Sequence, residues 1–221
     1  MRAALRVMIG KGTPEEIVEE AQLFALKEKI DIQKFSDEEL KHFLVDHNLG
    51  IDCSGLAFHI LDAECKATKK TGLKKYIHFT GKSFLRRLIT MFRTVENTSV
   101  LTLADEKNSQ VIDLAEIQPG DVITLINAGL EKNFHHALTI HQVDYQDNLP
   151  TILSYTHTLN WRVDGKYDHG VKQGKIEIID HKKPLLEQKW IENVVTGTEN
   201  DTFAKSADAE RLELRRLRFL T

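Results

Sequence analysis

The 221-residue sequence has little cysteine, no long apolar run and no excess of charge of one sign. Two cysteines cannot hold together a secreted scaffold that depends on several disulfides. No apolar stretch reaches the roughly 18 residues that a membrane-spanning helix needs. With 33 acidic and 30 basic residues, the formal charge of −3 gives the whole chain no attraction to nucleic acid or to an anionic membrane. What is left is a globular protein of ordinary composition, 41% hydrophobic and 29% charged.

The N-terminal sequence MRAALRVMIG does not follow the pattern of a signal peptide, because its apolar part is short and meets a charge at Lys11. Both a cytoplasmic protein and an extracellular domain cut from a longer chain fit this sequence.

Start signals predict two helices within the first 50 residues. Thr13-Pro14-Glu15-Glu16 and Ser36-Asp37-Glu38-Glu39 both have the capping-box pattern, and Gly50 ends the second helix. A third helix is predicted from Cys53 to about Cys65. Its length would separate these two thiols by roughly 18 Å, too far for a disulfide, so we expect both to be free.

The composition changes between residues 66 and 95, where nine basic residues occur and no acidic residue does. Apolar residues recur there at helical spacing: Phe84, Leu85, Leu88, Ile89 and Phe92. We therefore predict a basic helical insertion over residues 66–95. Its basic face is either simply solvated or a binding surface for an anionic polymer, lipid headgroups or nucleic acid. Because no nucleic-acid motif or aromatic stacking platform accompanies it, we expect no nucleic-acid partner.

From residue 98 the apolar pattern takes the two-residue period of strands. Strands are predicted at residues 111–114, 121–125, 136–140, 151–158 and 174–179, and the segment 211–220 fits either a strand or a short helix. Helices followed by strands predict an α+β fold, with N-terminal helices packed on one side of a central antiparallel sheet. No repeat or linker divides the chain, so we predict one domain over residues 1–221, in which residues 1–50 form a helical lead.

The segment Gly50-Ile51-Asp52-Cys53-Ser54-Gly55 places a cysteine at the start of the predicted third helix. The unpaired N–H groups and the positive dipole end of a helix start are expected to lower the pKa of the Cys53 thiol. Small residues beside Cys53 leave backbone amides free to bind an oxyanion. The alternative is an ordinary buried cysteine, the role that we assign to Cys65.

A cysteine nucleophile needs a general base and a group that orients the base. In the predicted strand that contains His135 and His136, alternation puts His136 on the apolar face and His135 on the other. In the next strand, His157 shares a mostly apolar face with Tyr155. We therefore predict a line of Cys53, His136 and His157, with His135 as the fallback base.

Four motifs together resemble the NlpC family of cysteine peptidases, which has a papain-like fold. Asp52-Cys53-Ser54-Gly55-Leu56 resembles the family's nucleophile motif, and residues 117–123 resemble its Leu-x-Pro-Gly-Asp-Leu-Val strand entry. Residues 136–140 resemble its His-Val-Gly-Ile-Tyr strand, and residues 155–158 its Ile-His-Ala segment. Two positions depart from the family: residues 43–49 lack its upstream tyrosine, and Leu138 replaces a glycine.

The resemblance implies that Cys53 is the nucleophile, His136 the base and His157 the orienting residue. It also implies that Asp52 and Ser54 hold the substrate's amino terminus. The implied substrate is a peptide of the bacterial cell wall (peptidoglycan), cut at a γ-D-glutamyl to diamino-acid bond or a neighbouring amide. Trp161, in the turn-rich stretch after His157, is expected to line the substrate cleft, although a packed loop explains it equally well.

The predicted function is therefore that of a cysteine peptidase or amidase, a hydrolase that cleaves peptide amides through a thioester. Two alternatives stay open: an inactive domain of the same fold that binds wall peptide or anionic polymer, and an acyltransferase with the same triad, since hydrolysis and transfer share the thioester. The ten histidines suggest a metal site, but no spacing matches a zinc motif. We predict no metal and no cofactor, and we expect a monomer.

Overall fold

A computed structural model describes residues 2–80, 84–159, 170–192, 195–196 and 200–221. Trp161 lies outside the described residues, so its predicted place in the cleft is left as a prediction. In the described part of the chain, an eight-stranded antiparallel sheet is combined with eight α-helices, which confirms the α+β class.

The N-terminal helices begin where their capping residues predict. Helix α2 (Pro14–Glu28) starts after Thr13 and α3 (Asp37–Asp46) after Ser36, and each start has a complete capping box. A further helix, α1 (Arg2–Met8), which was not predicted, precedes them. It was missed because its seven residues include no capping signal. The three helices share a small apolar cluster formed by Val7, Ala21, Ala25, Phe43 and Leu49.

Helix α4 (Cys53–Lys69) packs along one face of the sheet and extends four residues past its predicted end. Its buried residues Ala57, Phe58, Leu61 and Cys65 contact Val122, Ala137 and Leu217 of the sheet. The described part of the basic insertion contains the end of α4, a 3-10 turn (Leu73–Lys75), α5 (Phe84–Phe92) and the start of α6 (Thr94–Asn97), whereas residues 76–80 are not helical. Helix α7 (Val100–Leu103) follows the insertion. Each lysine and arginine whose side chain is described there is exposed: Lys66, Lys69, Lys70, Lys74, Lys75, Arg86 and Arg93.

The strands are β1 (Ser109–Val111), β2 (Val122–Ala128), β3 (Phe134–Gln146), β4 (Leu149–Leu159), β5 (Gly170–Glu177), β6 (Lys189–Glu192), β7 (Val195–Thr196) and β8 (Arg211–Leu217). Their order in the sheet is β1-β8-β2-β3-β4-β5-β6-β7. The segment 211–220 is thus a strand for most of its length. It uses both faces, because Leu214 belongs to the cluster on one face and Leu217 to the cluster on the other.

A second helix, α8 (Asp201–Asp208), packs on the face opposite α4. Its Phe203 joins a cluster that includes Leu125, Leu138, Tyr155 and Trp190. The prediction of helices on one side of the sheet is therefore wrong: the sheet has a helix on each face. Helix α8 escaped notice because Phe203 is its one large apolar residue, which gives no periodic pattern.

None of the helices in the described part of the chain combines the length and the apolar character that a membrane span needs.

Gly174 of β5 provides a test of the packing around Tyr155. A Cβ at position 174 would overlap the Oη atom and the ring of Tyr155, which is fully buried. We expect Gly174→Ala to lower the free energy of unfolding by about 1–3 kcal/mol, because a well-packed core has no room for the methyl group. Urea denaturation measures this change. Gly50→Ala is the matched control, since nothing lies within 4 Å of its added Cβ; equal stability of the two variants would contradict the packing.

Candidate active site

Cys53 is the first residue of α4, and a buried lysine fixes the turn before it. The Asp52 side chain caps the helix by accepting from the amide of Gly55. Lys11, 5% exposed, donates from its ammonium group to Asp52 Oδ1 at 2.8 Å and to the hydroxyl of Ser54. It also donates to the carbonyl oxygen of Thr98 at 2.9 Å. The ammonium group of Lys11 therefore connects the helical lead with the turn around Cys53 and with the segment that follows the insertion.

These contacts give Asp52 and Ser54 structural partners within the protein. Ser54 is buried beside Lys11, whereas Asp52 lines the cavity next to Cys53. Sequence reasoning missed Lys11 because a single lysine 41 residues from Asp52 gives no local signal of this contact.

The sulfur of Cys53 lies against the backbone of β3 on either side of His136. It is 3.9 Å from the carbonyl oxygen of His135, and the amide of Ala137 donates toward it. The pairing of β3 with β4 begins at Thr139 and Thr156. The sulfur contacts β3 before this point, in the part of the strand that is not paired with β4. The sulfur thus contacts the backbone on both sides of His136, whose side chain lies on the opposite face of β3.

Burial raises the pKa of the Cys53 thiol to about 11, and the nearby charge of Asp52 adds to this effect. The amide of Ala137 and the charge of Lys11 oppose it but are weaker. The expectation of a lowered thiol pKa is therefore wrong, because desolvation of the thiolate exceeds the stabilisation that a helix start offers. Cys53 is a neutral thiol at pH 7.

His136 and His157 form a hydrogen-bonded pair that continues to a carboxylate. His136 Nε2 is 2.8 Å from His157 Nδ1, and His157 Nε2 is 2.9 Å from Glu192 Oε2. Glu192 also accepts from the hydroxyl of Tyr155 at 2.8 Å and from that of Thr202 at 3.0 Å. His136, His157 and Glu192 are all buried. Glu192 was missed because strand β6, which carries it, was not predicted.

This chain of contacts sets the protons of both imidazoles once the charge of His157 is given. Burial by itself would raise the pKa of Glu192, but the hydrogen bond and the charge of His157, with the hydrogen bonds from Tyr155 and Thr202, hold it below its ordinary value, so Glu192 is an ionised acceptor. A neutral His157 donates to Glu192 through Nε2 and accepts through Nδ1, so that His136 donates through Nε2 and keeps Nδ1 as an acceptor, the form that a general base needs. A protonated His157 donates through both nitrogens and makes Nε2 of His136 the acceptor instead.

Burial also keeps His136 neutral. It lowers the pKa of His136 well below the ordinary value, and the nearby His157 and Lys205 lower it further. In the described part of the chain, the Cys53 thiol makes no hydrogen bond to the His136 ring. The structure thus brings His136 and His157 together and places Cys53 beside them, without a bond between thiol and imidazole.

His135, the fallback base, lies on the other face of β3. Ala137 packs in the cluster with α4, whereas Leu138 packs in the cluster on the opposite face, so alternation places His135 on the α4 side and His136 on the α8 side. His135 Nδ1 accepts from the backbone amide of Asn127 at 3.1 Å. A neutral His135 then has its proton on Nε2 and is a donor, so the geometry favours His136 as the base.

The candidate residues line a cavity of about 550 Å³ at the ends of the strands. Cys53, Asp52, His135 and His136 all contribute to its wall. Within the described ranges, no group of three histidine, cysteine, aspartate or glutamate side chains is arranged to hold a metal ion.

The pH dependence of alkylation tests the state of Cys53. With a thiol pKa of about 11, about one thiol in 10⁴ is ionised at pH 7, so we expect the iodoacetamide rate to rise about tenfold per pH unit up to pH 10. A Cys65→Ala background removes the second thiol. Adding His136→Ala should leave the profile in place, because a neutral imidazole supplies no charge. A plateau below about pH 8.5 would show a preformed thiolate instead.

Comparisons with known proteins identify no relative of this chain: a scan against models of protein families gives no match, and searches of curated proteins and of solved structures give none.

Proposed function

We propose that this protein is a cysteine hydrolase that cleaves amide bonds through a thioester on Cys53, in a papain-like arrangement of the NlpC type. His136 is the general base, and His157 and Glu192 are the positioning residues behind it. The observation that carries the proposal is the buried hydrogen-bonded chain from Glu192 through His157 to His136, which ends at a cavity that Cys53 and His136 both line.

The neutral thiol determines the first chemical step. As the sulfur attacks the amide carbonyl carbon, His136 Nδ1 removes the thiol proton, and the carbonyl π electrons move onto the oxygen. In this proposal, backbone amides at the start of α4 bind that oxyanion; the amide of Gly55 is not among them, because it donates to Asp52 Oδ1. Glu192, through His157, stabilises the imidazolium that forms, as the carboxylate does in other catalytic triads.

The low basicity of His136 favours the second step. Because burial disfavours its protonated form, the imidazolium readily gives its proton to the leaving nitrogen, and the C–N bond breaks. The amine departs and the acyl group stays on Cys53. Water, activated by the same Nδ1 atom, then attacks the thioester and restores the free thiol.

The substrate proposed from the sequence motifs is a peptide of the bacterial cell wall, and the exposed basic insertion is a proposed contact for an anionic wall polymer. A domain that binds without turnover is the second candidate. It is favoured by one observation: Cys53 is neutral and makes no hydrogen bond to His136 among the described residues.

Substitution of Cys53 and of His136 separates these candidates. With activated esters and wall-peptide fragments as substrates, we expect Cys53→Ala to abolish turnover and His136→Ala to lower kcat/KM by about 100-fold or more. Cys65→Ala, which removes the buried thiol of the same helix, should retain full activity. Intact-mass spectrometry should show an acyl adduct on Cys53. Turnover that survives in Cys53→Ala would remove Cys53 as the nucleophile, whereas a wild type with neither turnover nor adduct would favour the binding domain.

Glu192→Gln tests the positioning role without changing the size of the side chain. Loss of the negative charge destabilises the imidazolium of His136, so we expect kcat to fall at least tenfold with little change in KM. Glu177→Gln on β5, an exposed glutamate paired with Lys189, is the matched control and should not change kcat. Equal kcat values for the two variants would remove Glu192 from the mechanism.

A further inference from the structure

The lining of the cavity beside Cys53 contains two sets of apolar residues. One set comes from the helical lead and the turn before α4: Ile9, Ile17, Leu44, Val45, Leu49 and Ile51. The other comes from the strand ends and consists of Leu125, Phe134, Leu159 and Val171. Cys53 lines the same cavity, so a group attached to the scissile carbonyl enters largely apolar surroundings.

Part of this apolar surface is exposed to solvent. Ile9 is 42% exposed and Val171 is 52% exposed, although both are large aliphatic residues that gain free energy on burial. A ligand that covers them removes this surface from water. Apolar clefts with a few polar groups at the reacting atoms are typical of small-molecule sites, and 550 Å³ is within their usual size range.

Two of the charged side chains that line the cavity have partners within the protein. Asp52 is paired with Lys11, and Lys205 is paired with Asp201 while lying over the ring of Phe134. Lys41 is exposed at the rim. A substrate with several carboxylates and an ammonium group would lose hydration here without gaining matching partners, which costs binding free energy.

We propose that the acyl side of the scissile bond is apolar: the cavity takes an aliphatic acyl group, and the substrates are amides of such groups rather than the highly charged stem peptides of the cell wall. This inference rests on the proposed function, since the acyl group is the part that becomes attached to Cys53. It replaces the wall peptide that the sequence motifs imply with a different substrate class for the same catalytic residues.

A series of 4-nitrophenyl esters from acetate to octanoate tests the inference, because each ester gives the same leaving group and differs only in the acyl chain. We expect kcat/KM to rise about fourfold per methylene until the cavity is filled, as burial of each methylene in an apolar pocket predicts. Equal rates along the series, or a wall-peptide fragment that is cleaved faster than N-octanoyl amides, would overturn the inference.

A matched pair of variants tests whether the cavity wall at Val171 contacts the acyl chain. Val171→Asp places a charge in the cavity wall and should lower kcat/KM for the octanoyl ester at least tenfold more than for the acetyl ester. Val111→Asp places the same charge on β1, outside the cavity lining, at a valine that is 54% exposed. It should change neither rate. Equal losses in both variants would show that the cavity wall does not contact the acyl chain.

A binding measurement separates failure of this inference from failure of the proposed function. Calorimetry with N-acetylglycine, N-hexanoylglycine and N-octanoylglycine on Cys53→Ala requires no turnover. We expect the Kd to fall about fourfold per methylene. If binding depends on chain length but the wild type forms no acyl adduct, the cavity assignment stands and the hydrolase proposal fails. If an adduct forms but neither binding nor rate depends on chain length, the hydrolase proposal stands and the apolar acyl group is wrong.

Discussion

The buried carboxylate of Glu192 connects three elements of the fold and determines where the protons of the site lie. It accepts hydrogen bonds from Tyr155 and His157 of β4 and from Thr202 of α8, while it is itself part of β6. A buried carboxylate is costly unless such donors surround it. Here the donors meet that cost, and a neutral His157 that donates to Glu192 leaves each imidazole a donor on one side and an acceptor on the other. The same hydrogen bonds therefore stabilise the buried carboxylate and orient the two imidazoles.

The opposite face of the sheet has its own buried anchor. Lys11 holds the turn before Cys53 through Asp52, Ser54 and the Thr98 carbonyl group, so the position of the sulfur depends on the helical lead as much as on α4. The sulfur then contacts the backbone of β3, while His136 occupies the far face of the same strand. The candidate nucleophile and base are held by separate hydrogen-bond networks, and the sheet itself sets the distance between them.

Local signals in the sequence were sufficient for α2, α3 and α4 and for the pairing of His136 with His157. Thr13 and Ser36 cap their helices through residues three positions away, and strand alternation alone places the two histidines on a common face. Glu192, Lys11 and α8 were not predictable in this way, because their partners lie far along the chain or their segments have no periodic pattern. The predicted direction of the shift in the Cys53 pKa was wrong for a related reason. The helix start, which lowers the pKa, is visible in the sequence, whereas the burial of the thiol, which raises the pKa by more, is a property of the fold.

The strand order also constrains how the protein folds. Strand β1 joins the sheet only through β8, whose residues follow it by about 100 positions along the chain, as the pairing of Ser109 with Leu217 shows. Contacts of such large sequence separation are formed late and slow folding, because the intervening chain must be ordered first. On a ribosome, the sheet cannot be completed until the segment up to Leu217 has left the exit tunnel. Nascent chains of this protein therefore pass through a stage in which β8 has not yet paired with β2. The exposed edge of β2 can then pair with another chain, so this edge must be protected from aggregation until β8 is synthesised.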